Sequence, residues 1–473
     1  MLRKCRVDHR QQLIHSTSPL IELQQTHFNT LVIGGGIVGA GVLRDLSLHG
    51  VDTLLVEKRD FASQTSCSSS KMLHGGIRYL ENLDFALVHE ALAEKNLWLK
   101  LAPHLCREKS FYLPVFKDSL RPLWMIRLGI FLYDFLSNFQ NSTRGFADEE
   151  TTIKEIVHIK KEKLRGSGIY SDAIVDDGKL ALEVIMDALE NTNARALSYT
   201  SASKIIKDKK GLYHCELTDE LTGDSLQITC ENLVLATGPF TDKFVKENIA
   251  QIQWSDKLLP SKGSHIWIRR ADFPLEHPVV LTPNDGRVIF VIPHHDRVLI
   301  GTTEEKADDD FFDITPSDAE IQYLLTNLRE FFPTSRIDES HITAKFSGIR
   351  PLVKEDDAHN RGKTAREHKI YSPLSKLYII VGGKYTTFRT MAQEIAREIV
   401  KNQNLSYNPN KTKSPLRKNC QYNFFHKPEL TREIISKVIR NELPRTYQDL
   451  EERRIHSEDF HQKLEEYFTR HTI

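Results

Sequence analysis

The chain has 473 residues, 40% hydrophobic and 27% charged, with 64 basic and 64 acidic side chains. That length allows two or three domains with a large core, and a formal net charge of zero excludes a global field that would draw the protein to nucleic acid. Six scattered cysteines (Cys5, Cys67, Cys106, Cys215, Cys230, Cys420) with no Cys-x-x-Cys pair argue against a disulfide scaffold or a metal site and fit a reducing compartment.

Residues 1–27 read as an N-terminal extension, with Arg3, Lys4, Arg6 and Arg10 set against Asp8 and Glu22 and no long apolar core of the secretory kind. No stretch reaches the roughly 18 apolar residues of a spanning helix. Asn29–Ile33 predicts a buried parallel strand, Ile37–His49 a helix closed by Gly50, and Thr53–Val56 a second buried strand, which together make a βαβ unit. Phe85–Leu101 has the apolar spacing of an amphipathic helix. Leu120–Phe139 is apolar and aromatic with Arg121, Arg127 and Asp134 interspersed; it reads as a helix, expected to be buried in the substrate domain, with an interfacial position as the alternative. Glu183–Leu197 also looks helical. Lys204–Thr229 alternates around Lys-Lys-Gly and Thr-Gly-Asp turns and predicts a small β-meander, and Leu233–Ala236 a buried strand running into Thr237-Gly238-Pro239. From Ser264 to Thr303 the strands His265–Ile268, Val279–Leu281, Val288–Ile292 and Val298–Gly301 predict a mixed or antiparallel sheet. A strand at Tyr378–Val381, a helix at Thr390–Val400 and a charged helical tail from Glu429 to His471 complete the chain. The fold class is therefore α/β: a doubly wound, Rossmann-like domain, a mixed-sheet substrate domain and a short helical C-terminal region.

Gly34-Gly35-Gly36-Ile37-Val38-Gly39 is a GxGxxG loop between the first strand and its helix. Gly34 permits the tight turn, Gly36 lets backbone approach a pyrophosphate, and Gly39 lets helix and strand pack closely. Glu57 ends the second strand, where a carboxylate accepts hydrogen bonds from ribose hydroxyls and disfavours the 2′-phosphate of NADP. The loop alone does not separate FAD from NAD.

The segment from Phe61 to Glu81 is rich in hydroxyl donors (Thr65, Ser66, Ser70), continues through Lys71 and His74 to Gly75-Gly76, and ends with a cation beside a phenol, Arg78-Tyr79. Such a run suits contact with an anionic cofactor and substrate. It closely resembles the flavin-linked glycerol-3-phosphate dehydrogenases, whose pattern here is D-x-A-x-x-T-S-x-x-S-S-K-L-x-H-G-G-x-R-Y-L. Further blocks follow in the family's order: Ala86–Lys95, Leu120–Asp134, Asp176-Asp177-Gly178-Lys179-Leu180, Ala236-Thr237-Gly238-Pro239, Lys262-Gly263-Ser264-His265, Val291-Ile292-Pro293, Gly301-Thr302-Thr303-Glu304, Ser347-Gly348-Ile349-Arg350-Pro351-Leu352 and Gly382-Gly383-Lys384-Tyr385-Thr386-Thr387. They span Asn29 to Arg389. Glu442–Arg454 faintly resembles the RT-x-x-D-x-L-x-RR motif of the family's helical C-terminal domain, and the tail is shorter than the family norm. Gln64 and Cys67 depart from the loop pattern, and Ala365-Arg366-Glu367-His368 stands where the family has a TRDY-like segment.

The resemblance implies a two-domain FAD core over 28–400, with cofactor-binding parts at about 28–110, 170–255 and 340–400, substrate or cap parts at about 111–169 and 256–339, and an abbreviated helical region at 401–473. It implies oxidation of sn-glycerol 3-phosphate, with Arg78, Tyr79, Arg350 and Arg366 as candidate phosphate clamps. His74 is the candidate general base, its rival role being a hydrogen bond to flavin or a loop carbonyl. Gly34, Gly36, Gly39, Glu57, Thr65, Ser66, Ser70, Lys71, Gly75, Gly76, Gly238, Gly383, Lys384, Thr386 and Thr387 are the expected FAD contacts, and Lys384 would also stabilise the reduced ring. Thr386 and Thr387 fit equally a simple cap of the next helix. A single dinucleotide loop leaves no visible NAD site, and the resemblance implies that electrons pass to a quinone, or to oxygen as in the family's oxidase variant. Peripheral membrane contact at the inner face of the cytoplasmic membrane follows from a quinone acceptor; a mitochondrial location and a homodimer stay open. An amine or hydroxy-acid oxidase of the same flavin fold and a non-catalytic flavoprotein are the competing readings.

Overall fold

The computed structural model describes residues 18–23, 26–307, 311–354, 364–365, 368–416, 431–453 and 458–470. Two sheets carry the architecture. In the first, the strands run in the order His368–Tyr371, Leu377–Gly382, Ser225–Leu235, His27–Ile33, Thr53–Val56, Ala194–Leu197. All neighbours are parallel except the antiparallel first pair. Both faces of such a sheet are covered at its middle, and there Thr53–Val56 is buried at every position. The helices Ile37–Leu48, Asp177–Ala188 and Phe388–Asn402 pack together on one face. His27–Ile33 lies between Ser225–Leu235 and Thr53–Val56, so the direction of strand succession reverses there. The crevice at the carboxyl end of such a strand is where ligands of open α/β sheets bind, and here it carries Gly34–Gly39.

Among the described residues the second sheet has 11 strands. Its strand Leu258–Arg269 is antiparallel to both Arg297–Gly301 and Ile342–Lys354. The strands expected between Ser264 and Thr303 all form, at Leu258–Arg269, Val279–Leu281, Ile289–His294 and Arg297–Gly301. Ile342–Lys354, within the range 340–400, pairs in this second sheet, with Arg350 opposite Ser261. The sheet is closed on one side by the helix Asp318–Phe331, which opens with a capping box of Ser317 and Glu320 and buries Ile321, Leu324, Leu325 and Leu328.

Two sequence expectations are corrected. Glu183–Leu197 is not one helix: the helix is Asp177–Ala188, and Ala194–Leu197 is an edge strand parallel to Thr53–Val56. Ala-Arg-Ala-Leu has no β-branched residue to announce a strand, and the open parallel edge overrides local propensity. The helix within Leu120–Phe139, at Leu123–Leu136, is only half buried. Ile130, Tyr133 and Asp134 face inward, while Trp124 (67% exposed), Leu128, Phe131 and Phe135 (56%) point to solvent. Those four recur at helical spacing, so the apolar face is outward. The inner face sits close because Gly168 offers no side chain; a Cβ there would stand 2.6 Å from Ile126 and 2.7 Å from Ile130.

The tail forms helices Arg432–Glu442, Tyr447–Glu452 and Glu458–Arg470 around its own small core of Ile435, Val438, Leu450, Phe460, Leu464 and Tyr467.

Candidate active site

The glycine loop is built for close backbone approach. Gly34 has φ +110°, and a Cβ on it would lie 2.4 Å from the Ala236 carbonyl; one on Gly39 would lie 1.9 Å from the Gly34 carbonyl. Gly36 is the N-cap of Ile37–Leu48 and supplies no side-chain cap, which leaves a helix N-terminus suited to an anion. Ser66 Oγ accepts the Ile37 N–H at 2.9 Å, so this hydroxyl stands where the pyrophosphate would approach. Glu57 accepts from Gly35 N at 2.7 Å and Arg59 N at 2.9 Å, and burial raises its carboxyl above the ordinary value against those donors. Its position at the end of the second strand fits a dinucleotide ribose. Gly238, with φ +54°, opens the turn after Ser225–Leu235 on the other side of the crevice. Steric room, helix terminus and carboxylate together fit a dinucleotide such as FAD.

Beyond the glycines, the loop Asp60–Lys71 crosses to the second sheet. Thr65 Oγ1 donates to the Ile349 carbonyl (2.8 Å), and Ser70 Oγ meets His265 Nε2 (2.9 Å). Lys71, expected at the cofactor, turns its ammonium inward to Asp177 at 2.6 Å, both side chains buried. Asp177 also accepts from Ser69 N and, at 2.6 Å, Ser69 Oγ. A cavity of about 250 Å³ lies against this loop. Thr65 and Lys71 line it, together with Asp177, Phe312, Phe346 and Arg453; His74, Arg78, Arg350 and Lys384 do not.

The segments around His74 and Lys384 meet although far apart in sequence. His74 N donates to Thr386 Oγ1 (3.2 Å) across 312 residues, and Thr386 returns a 3.4 Å bond to the His74 carbonyl. Lys384 Nζ sits 3.9 Å from the centre of the Tyr79 ring, a cation–π contact. Thr386 thus ties down His74 and does not cap the next helix; Thr387 is the N-cap residue, without a side-chain cap bond. Gly383 has φ +99° and is pressed against Met391, and Gly76 has φ +74° where the chain turns toward Arg78. Gly75 N donates to Tyr133 Oη (2.8 Å) and, more weakly, to Asp172 Oδ1 (3.4 Å).

Arg350 donates to Thr302 Oγ1 at 2.7 Å. Gly263 makes the space: a Cβ there would stand 2.4–2.5 Å from both terminal guanidinium nitrogens. Arg78 is exposed and reaches the Gly286 carbonyl at 3.3 Å. Phe290 pairs with Gly301 in the antiparallel strands Ile289–His294 and Arg297–Gly301. Gly286 precedes the first strand and Thr302 follows the second, so the two guanidiniums are held at the same end of one hairpin. Arg366 lies outside the described residues.

Sequence reasoning assigned no role to His265, Asp172, Tyr133, Asp177 or Gly263. His265 is buried and stacks on Phe346; burial, helped by Arg350 and Lys71, holds its imidazole well below the usual value, so it is neutral. Its only signal was its place in the Lys262–His265 block.

Over residues 29–397 the chain matches a family model described as FAD dependent oxidoreductase. The aerobic glycerol-3-phosphate dehydrogenase of Staphylococcus haemolyticus (strain JCSC1435) is 32% identical over 382 residues, which are 80% of this chain and 68% of that protein. Among solved structures, the glycerol-3-phosphate dehydrogenase from Bacillus halodurans complexed with FAD aligns with a TM-score of 0.67 at 29% identity, covering 82% of this chain and 67% of that one. The L-α-glycerophosphate oxidase from Mycoplasma pneumoniae with FAD bound shares the fold, with a TM-score of 0.62 at 19% identity over 82% of this chain and 98% of that one.

Proposed function

Since the chain belongs to the FAD-dependent oxidoreductase family and its cofactor is FAD, we propose that it oxidises sn-glycerol 3-phosphate to dihydroxyacetone phosphate. The observation that carries this reading is the joining of His74–Tyr79 to Lys384–Thr386, with Arg78 and Arg350 held at one end of a neighbouring hairpin. The substrate is a phosphate monoester and close to a dianion at neutral pH. Guanidinium groups match it because they donate in a planar fork. Each charge-assisted hydrogen bond contributes about 1.5–3 kcal/mol, so two clamps separate glycerol 3-phosphate from glycerol by orders of magnitude. His74 takes the hydroxyl proton; its backbone is fixed on both sides by Thr386, which limits where the imidazole can swing. Lys384, stacked on Tyr79, supplies the positive charge that would stabilise the reduced ring. FAD, when bound, supplies the acceptor for the hydride leaving the alcohol carbon. The relatives named above as dehydrogenases of this substrate support the reading.

Our reading of the next acceptor is a quinone in the bilayer, reached by peripheral contact at the inner face of the cytoplasmic membrane. The outward apolar face of Leu123–Leu136 favours it. Arg121, at the start of that helix, pairs with Glu81 in the turn that carries Arg78 and Tyr79, and the exposed Leu83 follows in the same turn. The apolar surface therefore borders the proposed substrate clamp. Oxygen is the second reading, favoured by the fold shared with the glycerophosphate oxidase.

Anaerobic addition of glycerol 3-phosphate to the purified holoprotein tests both. The flavin's visible absorbance should bleach, recover slowly in air and recover fast with a soluble quinone. A flavin that stays yellow with this substrate refutes the activity, and fast recovery in air alone refutes the quinone. Arg350→Ala should slow flavin reduction by roughly 10–100-fold with FAD retained; equal loss of FAD would make Arg350 structural.

A further inference from the structure

The loop Asp60–Lys71 carries Thr65, Ser66 and Ser70 past the cofactor crevice, yet much of it lines a cavity. Phe61 and Ala62 pack into the core, and buried ion pairs tie the loop near both of its ends. At the Lys71 end the anchor is the buried ion pair with Asp177. At the Asp60 end it comes from the C-terminal helices. Arg453 forks onto the Asp60 carboxylate with Nε at 2.7 Å and Nη2 at 2.6 Å, and Asp60 is 3% exposed.

Arg453 is itself held in place. It directly follows the short helix Tyr447–Glu452, whose Asp449 accepts from Arg445 N (2.7 Å), Thr446 N (2.8 Å), Thr446 Oγ1 (2.8 Å) and, across the interface, Tyr199 Oη (2.6 Å). Arg445 reaches Asp219 at 3.2 Å. Of these contacts with the cofactor domain, only Arg453–Asp60 lands on the loop. Burial lifts the Asp60 carboxyl to about 6, and Asp449 nearby adds to that while Arg453 opposes it. Without the guanidinium, a buried carboxylate faces a second carboxylate, and the loop must shift or take up a proton.

We propose that the C-terminal helices act as a clasp on the cofactor loop. Arg453 is its positioning residue, and through Asp60 it sets how long FAD stays bound. The proposal rests on FAD as cofactor and is independent of the substrate.

The test is FAD release from the holoprotein, followed as free-flavin fluorescence after dilution, with no substrate present. Arg453→Gln and Asp60→Asn should each speed release about tenfold or more. Their effects should not add in the double variant, because they break one pair. Arg453→Lys should restore part of the retention. Arg445→Gln, which loosens the same helices away from the loop, should release FAD at the wild-type rate. Wild-type release from Arg453→Gln overturns the proposal, and so does equal acceleration by Arg445→Gln. If Arg453→Gln does not fold, Asp60→Asn decides alone: fast release supports the clasp, and wild-type release overturns it.

Discussion

Gly263 shows how a residue with no side chain can determine a charge's position. It lies within a buried strand where sequence offers no turn to explain a glycine, and its missing Cβ is the volume that the Arg350 guanidinium fills. Gly263→Ala should therefore push Arg350 off Thr302 and lower kcat/KM for glycerol 3-phosphate by roughly 10–100-fold, while FAD content stays at wild-type level. Steady-state kinetics beside a flavin-to-protein ratio checks this; unchanged kinetics would mean that the arginine is tolerant of its seat. Asp172 carries a different lesson. It is buried and accepts from Tyr133 Oη at 2.7 Å, and burial lifts its carboxyl to about 7 although Lys95 pulls the other way. Between the ordinary carboxyl value near 3.8 and about 7, the folded protein holds a proton that the unfolded chain has released. Stability from this group is thus greatest at low pH and falls as pH rises through that window, by at most about 1.4 kcal/mol per pH unit. Asp172→Asn keeps the acceptor oxygen and loses the proton equilibrium. Denaturant unfolding between pH 4 and 7, at the roughly integer pH values that bracket the window, should show a flatter pH dependence for the variant, and parallel curves would contradict the raised carboxyl.

At the scale of elements, the helix Leu123–Leu136 marks where pattern reading stops. Its period was legible, because Trp124, Leu128, Phe131 and Phe135 recur at helical spacing. Which face is buried was not, since the inner face holds Ile126, Ile130 and Tyr133 and is apolar as well. A helix apolar on both sides reads as core until its neighbours are known. The exposed stripe predicts binding to bilayers: burying an aromatic side chain contributes about 1.5–3 kcal/mol, so Trp124→Glu with Phe131→Glu should cut co-sedimentation with anionic vesicles by roughly 100-fold or more. Flavin reduction by glycerol 3-phosphate in solution should stay at the wild-type rate. Equal sedimentation of wild type and variant would remove this helix from the membrane reading.

Across the whole molecule, legibility followed the range of the contacts. The βαβ unit was visible because strand, glycine loop and helix are contiguous in sequence, and the sheet between Ser264 and Thr303 because its strands are neighbours in the chain. The edge strand Ala194–Leu197 and the membership of Ile342–Lys354 in the second sheet depend on partners far away, Thr53–Val56 and Leu258–Arg269, and carry no local mark. The site divides in the same way. His74, Arg78 and Lys384 stood in readable motifs, while the inward turn of Lys71 to Asp177 and the grip of Thr386 on His74 exist only in three dimensions.

Tyr133 gives the outward helix a second end to its reach. Its ring projects from the inner side of Leu123–Leu136, and its hydroxyl takes the Gly75 N–H at 2.8 Å, one residue from His74. The stripe of aromatic side chains and the contact to the peptide next to the imidazole thus lie on opposite faces of one helix. A shift of about one ångström along the line of that bond stretches it past hydrogen-bonding reach. One phenol on the inner face of the helix thus fixes the backbone beside the imidazole.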